Sequence, residues 1–131
     1  MLKRTRQTFI TSDTHFGHSN IIKYCKRPYK VEGGNRNPAN IPEVQRMNED
    51  ILQLFDRLPA DCDIWHLGDF WFNGSHKVSP SDQLATNLLI NDAVRRIKQN
   101  GRRIFLVLGN HDNGKPSVKY YLDRGFDKVY D

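Results

Sequence analysis

Arg103-Ile104-Phe105-Leu106-Val107-Leu108-Gly109-Asn110-His111-Asp112 is the stretch from which the rest of the chain can be read. Its first six residues form the most apolar strand-like run in the sequence. The run empties into an amide, an imidazole and a carboxylate side by side. The same shape occurs twice upstream. Gln7-Thr8-Phe9-Ile10-Thr11-Ser12 runs into Asp13-Thr14-His15, and Asp63-Ile64-Trp65-His66-Leu67 runs into Gly68-Asp69.

Helix-like segments separate these strands. Residues 18–26 read as a brief helix with Ile21 and Ile22 toward the core, stopped near Pro28. Residues 29–41 hold two glycines, Pro38 and three asparagines and read as a loop. A long helix is expected from Pro42, a favoured first position, with Val44, Met47, Ile51, Leu54, Phe55 and Leu58 stepping by three and four and Pro59 closing it. Residues 73–81 read as a polar loop. A second long helix is expected over 82–100, with Leu84, Leu88, Ala93 and Ile97 buried and Gly101 as its C-terminal cap. A short helix over 116–124 and a last strand over 126–130 complete the pattern. Alternating strands and helices predict an α/β fold with a largely parallel sheet. Ligands in such sheets bind beyond the carboxyl ends of the strands. All three polar clusters occupy those ends, so residues distant in sequence should meet at one edge.

A chain of 131 residues suits a single domain over 1–131. A hydrophobic fraction of 37% and a mean hydropathy of −0.70 indicate a soluble globular protein, and no apolar stretch reaches the length of a membrane span. The basic start, Lys3-Arg4-Thr5-Arg6, has only Thr8 to Thr11 before Asp13, too little for a signal peptide, and the expected location is cytoplasmic. Cys25 and Cys62 match no metal spacing and read as free thiols. A net charge of +5 and a pI near 9.4 suit anionic ligands such as phosphoesters or nucleic acid, and equally a plain solvated surface.

Asp13 and His15 stand two apart, so an extended backbone would point both to one side. A carboxylate and an imidazole together suit Mn, Fe or Zn. Asp69, after a glycine in a tight turn, could bridge two ions with its two oxygens. Asn110 offers an amide oxygen as a further ligand. His111 is then free to serve the substrate as an acid or as a positive partner for phosphate, with Asp112 orienting it. The chemistry this set suits is two-metal hydrolysis of a phosphoester, with His111 protonating the leaving oxygen. Taken singly, Asp13 could cap a helix and Gly68-Asp69 could be an ordinary turn. The ordered set, each member following a strand, is what selects a site.

Other residues carry less. His18 either joins the site or starts the next helix. His66, on the second strand, reads as a packed or supporting histidine rather than a ligand. His76 reads as solvated. Arg27, Lys30, Arg36 and Lys115 are loop cations near the motif ends, able to hold phosphate or simply exposed. Alternation sends Trp65 to the core. Of Phe70, Trp71 and Phe72, one could line the pocket or stack on a base while the other two pack.

Thr11-Ser12-Asp13-Thr14-His15-Phe16-Gly17-His18, Met47-Asn48, His66-Leu67-Gly68-Asp69-Phe70 and Leu108-Gly109-Asn110-His111-Asp112 together resemble the calcineurin-like metallophosphoesterases, in a small bacterial and phage branch. The resemblance implies a sandwich of β-sheets flanked by helices, here C-terminally shortened, and phosphatase or phosphodiesterase activity. It also implies that Asp13, His15, Asp69 and Asn110 hold metal and that His111 is catalytic; Asp112 is expected to act with His111, and His18, Asn110 and His111 are expected to bind substrate. The cofactor it implies is a divalent metal, Mn first, then Fe, Zn or Ni. The family pattern continues with a further metal-binding His and a Gly-His-x-His motif that this chain lacks. One metal site is therefore expected rather than two. The alternative is a catalytically impaired relative that binds a nucleotide, nucleic acid or protein. Self-association through an exposed sheet edge is expected in either case.

Overall fold

The structure is a computed structural model and describes residues 5–17, 42–71, 80–109 and 118–131. Its strands are β1 (Thr8–Thr11), β2 (Asp63–His66), β3 (Arg103–Val107) and β4 (Lys128–Tyr130). Its helices are α1 (Pro42–Asp56), α2 (Pro80–Ile97) and α3 (Val118–Arg124), with a 3₁₀ turn at Gln99–Gly101. The four strands form one sheet in the order β1-β2-β3-β4, and every pairing is parallel. The expected α/β fold is present, and this is the one sheet of the expected sandwich that lies among the described residues. The brief helix expected over 18–26, the loop over 29–41, most of the 73–81 loop and Cys25 lie outside the described residues.

Strand order explains the layering. Parallel strands need crossovers, and crossovers are right-handed. Stepping the same way each time lays successive helices on the same face. Ile64, His66, Ile104 and Leu106 point to that face and are buried with Leu52 and Phe55 of α1, Ile90, Ala93, Val94 and Ile97 of α2, and Tyr121 of α3. Ile10, Trp65 and Phe105 are register neighbours on the opposite face, where Trp65 stacks on Phe105 and on Tyr130 at 4.9 and 5.5 Å. Trp65 thus lies off the helix-covered core, contrary to expectation, because the buried phase of β2 is Ile64 and His66.

The helices differ from expectation in their buried faces and in the bounds of the second. Leu84 and Leu88 are 60% and 54% exposed, and Leu54 is 60% exposed. In α2 the buried stripe is Thr86, Ile90, Ala93, Val94 and Ile97, a strict helical face. Leu84 and Leu88 sit half a turn away from it. In α1 the same choice places Leu52 and Phe55 inward and Leu54 outward. The second helix begins at Pro80 rather than at 82, and ends in a kink where Asn100 and Gly101 take φ of 60° and 77°.

Buried Arg102 closes the lower end of the helical layer. Its Nε donates to the Ile97 carbonyl at 2.8 Å and its Nη1 to the Leu58 carbonyl at 3.0 Å. The first carbonyl ends α2, where acceptors lack intrahelical partners, and the second lies in the turn just past α1. Arg102→Met keeps the aliphatic stem and removes both donors. It is expected to lower stability by about 3 kcal/mol, read as a fall in urea midpoint at unchanged m-value.

Candidate metal centre

β1 and β2 stay paired after they end as strands. The Asp13 N–H donates to the Gly68 carbonyl at 3.0 Å, His15 N–H to Asp69 O at 2.9 Å and Phe16 N–H to Phe70 O at 2.9 Å. Phe16 and Trp71 then meet in an isolated parallel bridge. The two segments run side by side beyond the carboxyl edge of the sheet, where α/β ligand sites form.

They are not extended. Asp13, His15 and Asp69 have φ of 54°, 50° and 54°, and Gly68 lies at 106°. Non-glycine residues in this left-handed region cost on the order of 1–3 kcal/mol each, and such strain concentrates at functional sites. The convergence of Asp13 and His15 therefore has a different cause from the alternation expected of a strand. The backbone puckers at Asp13, His15 and Asp69 and brings the three side chains together. Among the described residues, Asp13, His15 and Asp69 offer ligand atoms that lie within 4.8 Å of one another. His15 Nε2 is 3.5 Å from Asp13 Oδ1 and 3.9 Å from Asp69 Oδ2. Asp13 is exposed, Asp69 partly so, and His15 buried, so the group is open to solvent on one side.

Gly109, the first residue of the third motif, reaches the same place. A Cβ built on Gly109 would stand 2.7 Å from Asp69 Oδ1 and 2.8 Å from Asp69 N. A Cβ on Gly68 would stand 2.8 Å from Gly109 Cα and N. Two glycines after two strands thus let the Asp69 turn and the β3 exit touch backbone to backbone. The signal for this was in the sequence, in the glycine that ends each apolar run. Asn110, His111 and Asp112 follow Gly109 and lie outside the described residues, as do His18, His76, Phe72, Arg27, Lys30, Arg36 and Lys115.

Supporting groups come from behind. Asn48 of α1 accepts the Gly17 N–H at 3.0 Å and anchors the end of the first turn. Phe70 and Trp71 are buried against Phe16. Thr14, which the sequence reading passed over, is buried between Asp13 and His15 with its hydroxyl donating to the Phe70 carbonyl at 3.0 Å. His66 is fully buried, as expected of a packed histidine, and lies 3.0 Å from the Thr14 hydroxyl.

Burial lowers the His66 pKa to about 4, against weaker opposing pulls from the Asp13 and Asp69 carboxylates, while His15 adds to the lowering. The folded value lies below the unfolded value near 6.5. Stability from neutral His66 is therefore complete above about pH 6.5 and is lost as pH falls toward about 4. The amount is about 3 kcal/mol. In chelator, the urea midpoint should drop over that window, and His66→Phe, which cannot titrate, should lack that part of the slope.

The two carboxylates and one imidazole suit a divalent transition metal. Three protein ligands with open positions is the pattern of a catalytic site rather than a structural one. No helix among the described residues is long and apolar enough to cross a membrane. No solved structure gives a significant match to the chain. An uncharacterized protein of Methanocaldococcus jannaschii is 32% identical over 108 residues, which cover 82% of this chain and 47% of that protein. The chain thus spans about half the length of that curated relative. The family model for calcineurin-like phosphoesterases matches residues 7–131, and the chain belongs to that family.

Proposed function

We propose that the chain is a metal-dependent phosphoesterase that hydrolyses phosphomonoesters or phosphodiesters with an activated water. The observation that carries the reading is the Asp13, His15 and Asp69 donor group, assembled by three left-handed residues at the sheet edge. In this reading those residues hold one divalent cation, Mn²⁺ foremost. A cation bound there supplies a Lewis acid that lowers the pKa of water and offsets charge on phosphoryl oxygen. In the same reading Asn110, the residue after Gly109, is a further ligand through its amide oxygen. In this reading His111, assisted by Asp112, gives a proton to the leaving oxygen. His18 joins Asn110 and His111 in binding the phosphoryl group.

The net charge of +5 supports an anionic substrate, with a nucleotide or nucleic acid among the candidates. The free Cys62 thiol fits a reducing, cytoplasmic setting. β1 and β4 are the sheet edges among the described residues, where a second copy would add.

The test is hydrolysis of p-nitrophenyl phosphate and bis-p-nitrophenyl phosphate with added Mn²⁺. Turnover above the metal-free background, abolished by chelator and restored by Mn²⁺, is the expected result. Absence of both turnover and Mn²⁺ binding at millimolar metal would overturn the reading.

A further inference from the structure

His66 and Thr14 join the two ligand-bearing turns by a side-chain hydrogen bond. Thr14 lies between Asp13 and His15. Its hydroxyl has one proton, and that proton goes to the Phe70 carbonyl at 3.0 Å. The oxygen facing His66 Nε2 at 3.0 Å must then accept, so Nε2 carries the hydrogen. The other ring nitrogen is free of hydrogen and accepts the Gly68 N–H at 3.3 Å. An imidazolium could not make this pair of bonds, because both of its nitrogens donate. The ring edge also packs on Phe70, with centroids 5.2 Å apart and planes at 78°.

The backbone and side-chain groups that His66 and Thr14 bond lie next to ligand candidates in sequence. Thr14 flanks both Asp13 and His15. Gly68 and Phe70 flank Asp69 on either side. One neutral imidazole and one hydroxyl thus span the turn of β1 and both shoulders of the turn of β2. The ligand candidates beside these bonds, Asp13, His15 and Asp69, all have left-handed backbone. Neither side chain is in the donor group that could hold metal.

We propose that Thr14 and His66 form a neutral hydrogen-bonded strut that fixes Asp13, His15 and Asp69 in metal-holding geometry, and that both are positioning residues for the phosphoesterase site. The proposal rests on the metal-dependent reading above. A buried polar network of this kind is rigid when every member is satisfied and fails as a unit when one is lost. Groups that orient metal ligands typically change metal affinity about 10–100-fold when removed.

Two measurements on the full chain test it. The first is the tautomer of His66 in metal-free protein at pH 7, from its ring nitrogen shifts and long-range proton couplings. The Nε2–H tautomer is expected. An Nδ1–H tautomer or a charged ring would overturn the strut whether or not the protein binds metal. The second is Mn²⁺ affinity, by calorimetry, of Thr14→Val and Thr14→Ser beside the parent chain. Valine keeps the branched shape and removes the hydroxyl, and serine keeps the hydroxyl. Affinity should fall about 10-fold or more in Thr14→Val and stay within about 3-fold of the parent in Thr14→Ser. A folded Thr14→Val that binds Mn²⁺ like the parent would leave Thr14 a packing residue and sink the positioning role. A parent chain that binds no Mn²⁺ would refute the metal-dependent reading and the positioning role with it, while the tautomer still decides whether the strut exists.

Discussion

Asp69→Asn is expected to abolish Mn²⁺-dependent hydrolysis, with a loss of about 100-fold or more, and to leave the metal-free fold intact. The substitution separates charge from shape. Asp69 has φ of 54°, a conformation that asparagine adopts more readily than other non-glycine residues. The turn therefore keeps its pucker, and the Gly109 backbone still fits against the side chain. What changes is one of two carboxylates in a donor group whose ligand atoms lie within 4.8 Å of one another. An amide oxygen carries no net charge and cannot bridge ions as a carboxylate does. The remaining pair, Asp13 and His15, makes a weak site. Removing one of two close like charges should also relieve repulsion in the metal-free protein, so its melting temperature should hold or rise, as is common when a functional site is neutralised. A thermal shift assay reads both effects. In the parent chain, Mn²⁺ at 100 times its Kd should add about 2.7 kcal/mol of stability. That increment should vanish in Asp69→Asn. An increment that survives would mean that Asp69 is not a ligand.

The parts of the fold that could be read from sequence are those set by local periodicity and by chain punctuation. β1, β2 and β3 each fall within a run of apolar residues ending in a polar cluster, and α1 starts at Pro42 as expected. Periodicity was less able to choose between two apolar faces of one helix. Leu84 and Leu88 compete with Ile90 and Val94 in α2, and only the sheet beneath decides that the second pair goes inward. Trp65 fails for the same reason, since a strand with apolar residues in both phases does not reveal which face the helices cover. The donor group was legible because its residue types are costly to explain otherwise. Its geometry was not. Alternation suggested that Asp13 and His15 share a side, but both are left-handed, and positive φ at an aspartate or histidine has no sequence signature of its own. Thr14 escaped notice because its role is a contact across 52 residues, to a histidine whose own partner choice depends on the β1–β2 register.

Gly68→Ala is expected to cost about 4 kcal/mol, a large share of a small domain's stability of about 5–15 kcal/mol. Two penalties combine. The backbone at Gly68 has φ of 106°, which an L side chain rarely adopts. The added Cβ also lands 2.8 Å from Gly109 Cα and N. Those are backbone atoms, so no rotamer change relieves the contact, and the carboxyl ends of β2 and β3 must move apart. Gly125→Ala separates the two penalties. Its φ is 113°, nearly the same, but its Cβ would meet only the Val94 Cγ1 at 3.3 Å, a side-chain methyl that can give way. Gly125→Ala should therefore show backbone strain alone, about 1–2 kcal/mol. The difference between the two urea midpoints measures the close approach of the Asp69 turn to the β3 exit. Because a Cβ on Gly109 would stand 2.7 Å from Asp69 Oδ1, the β3 exit lies close against the Asp69 side chain, and any folded Gly68→Ala should lose its Mn²⁺-induced thermal shift, while Gly125→Ala keeps it. Equal costs for the two alanines would show that the turns have room to separate and that the two glycines do not bring the β2 and β3 exits together.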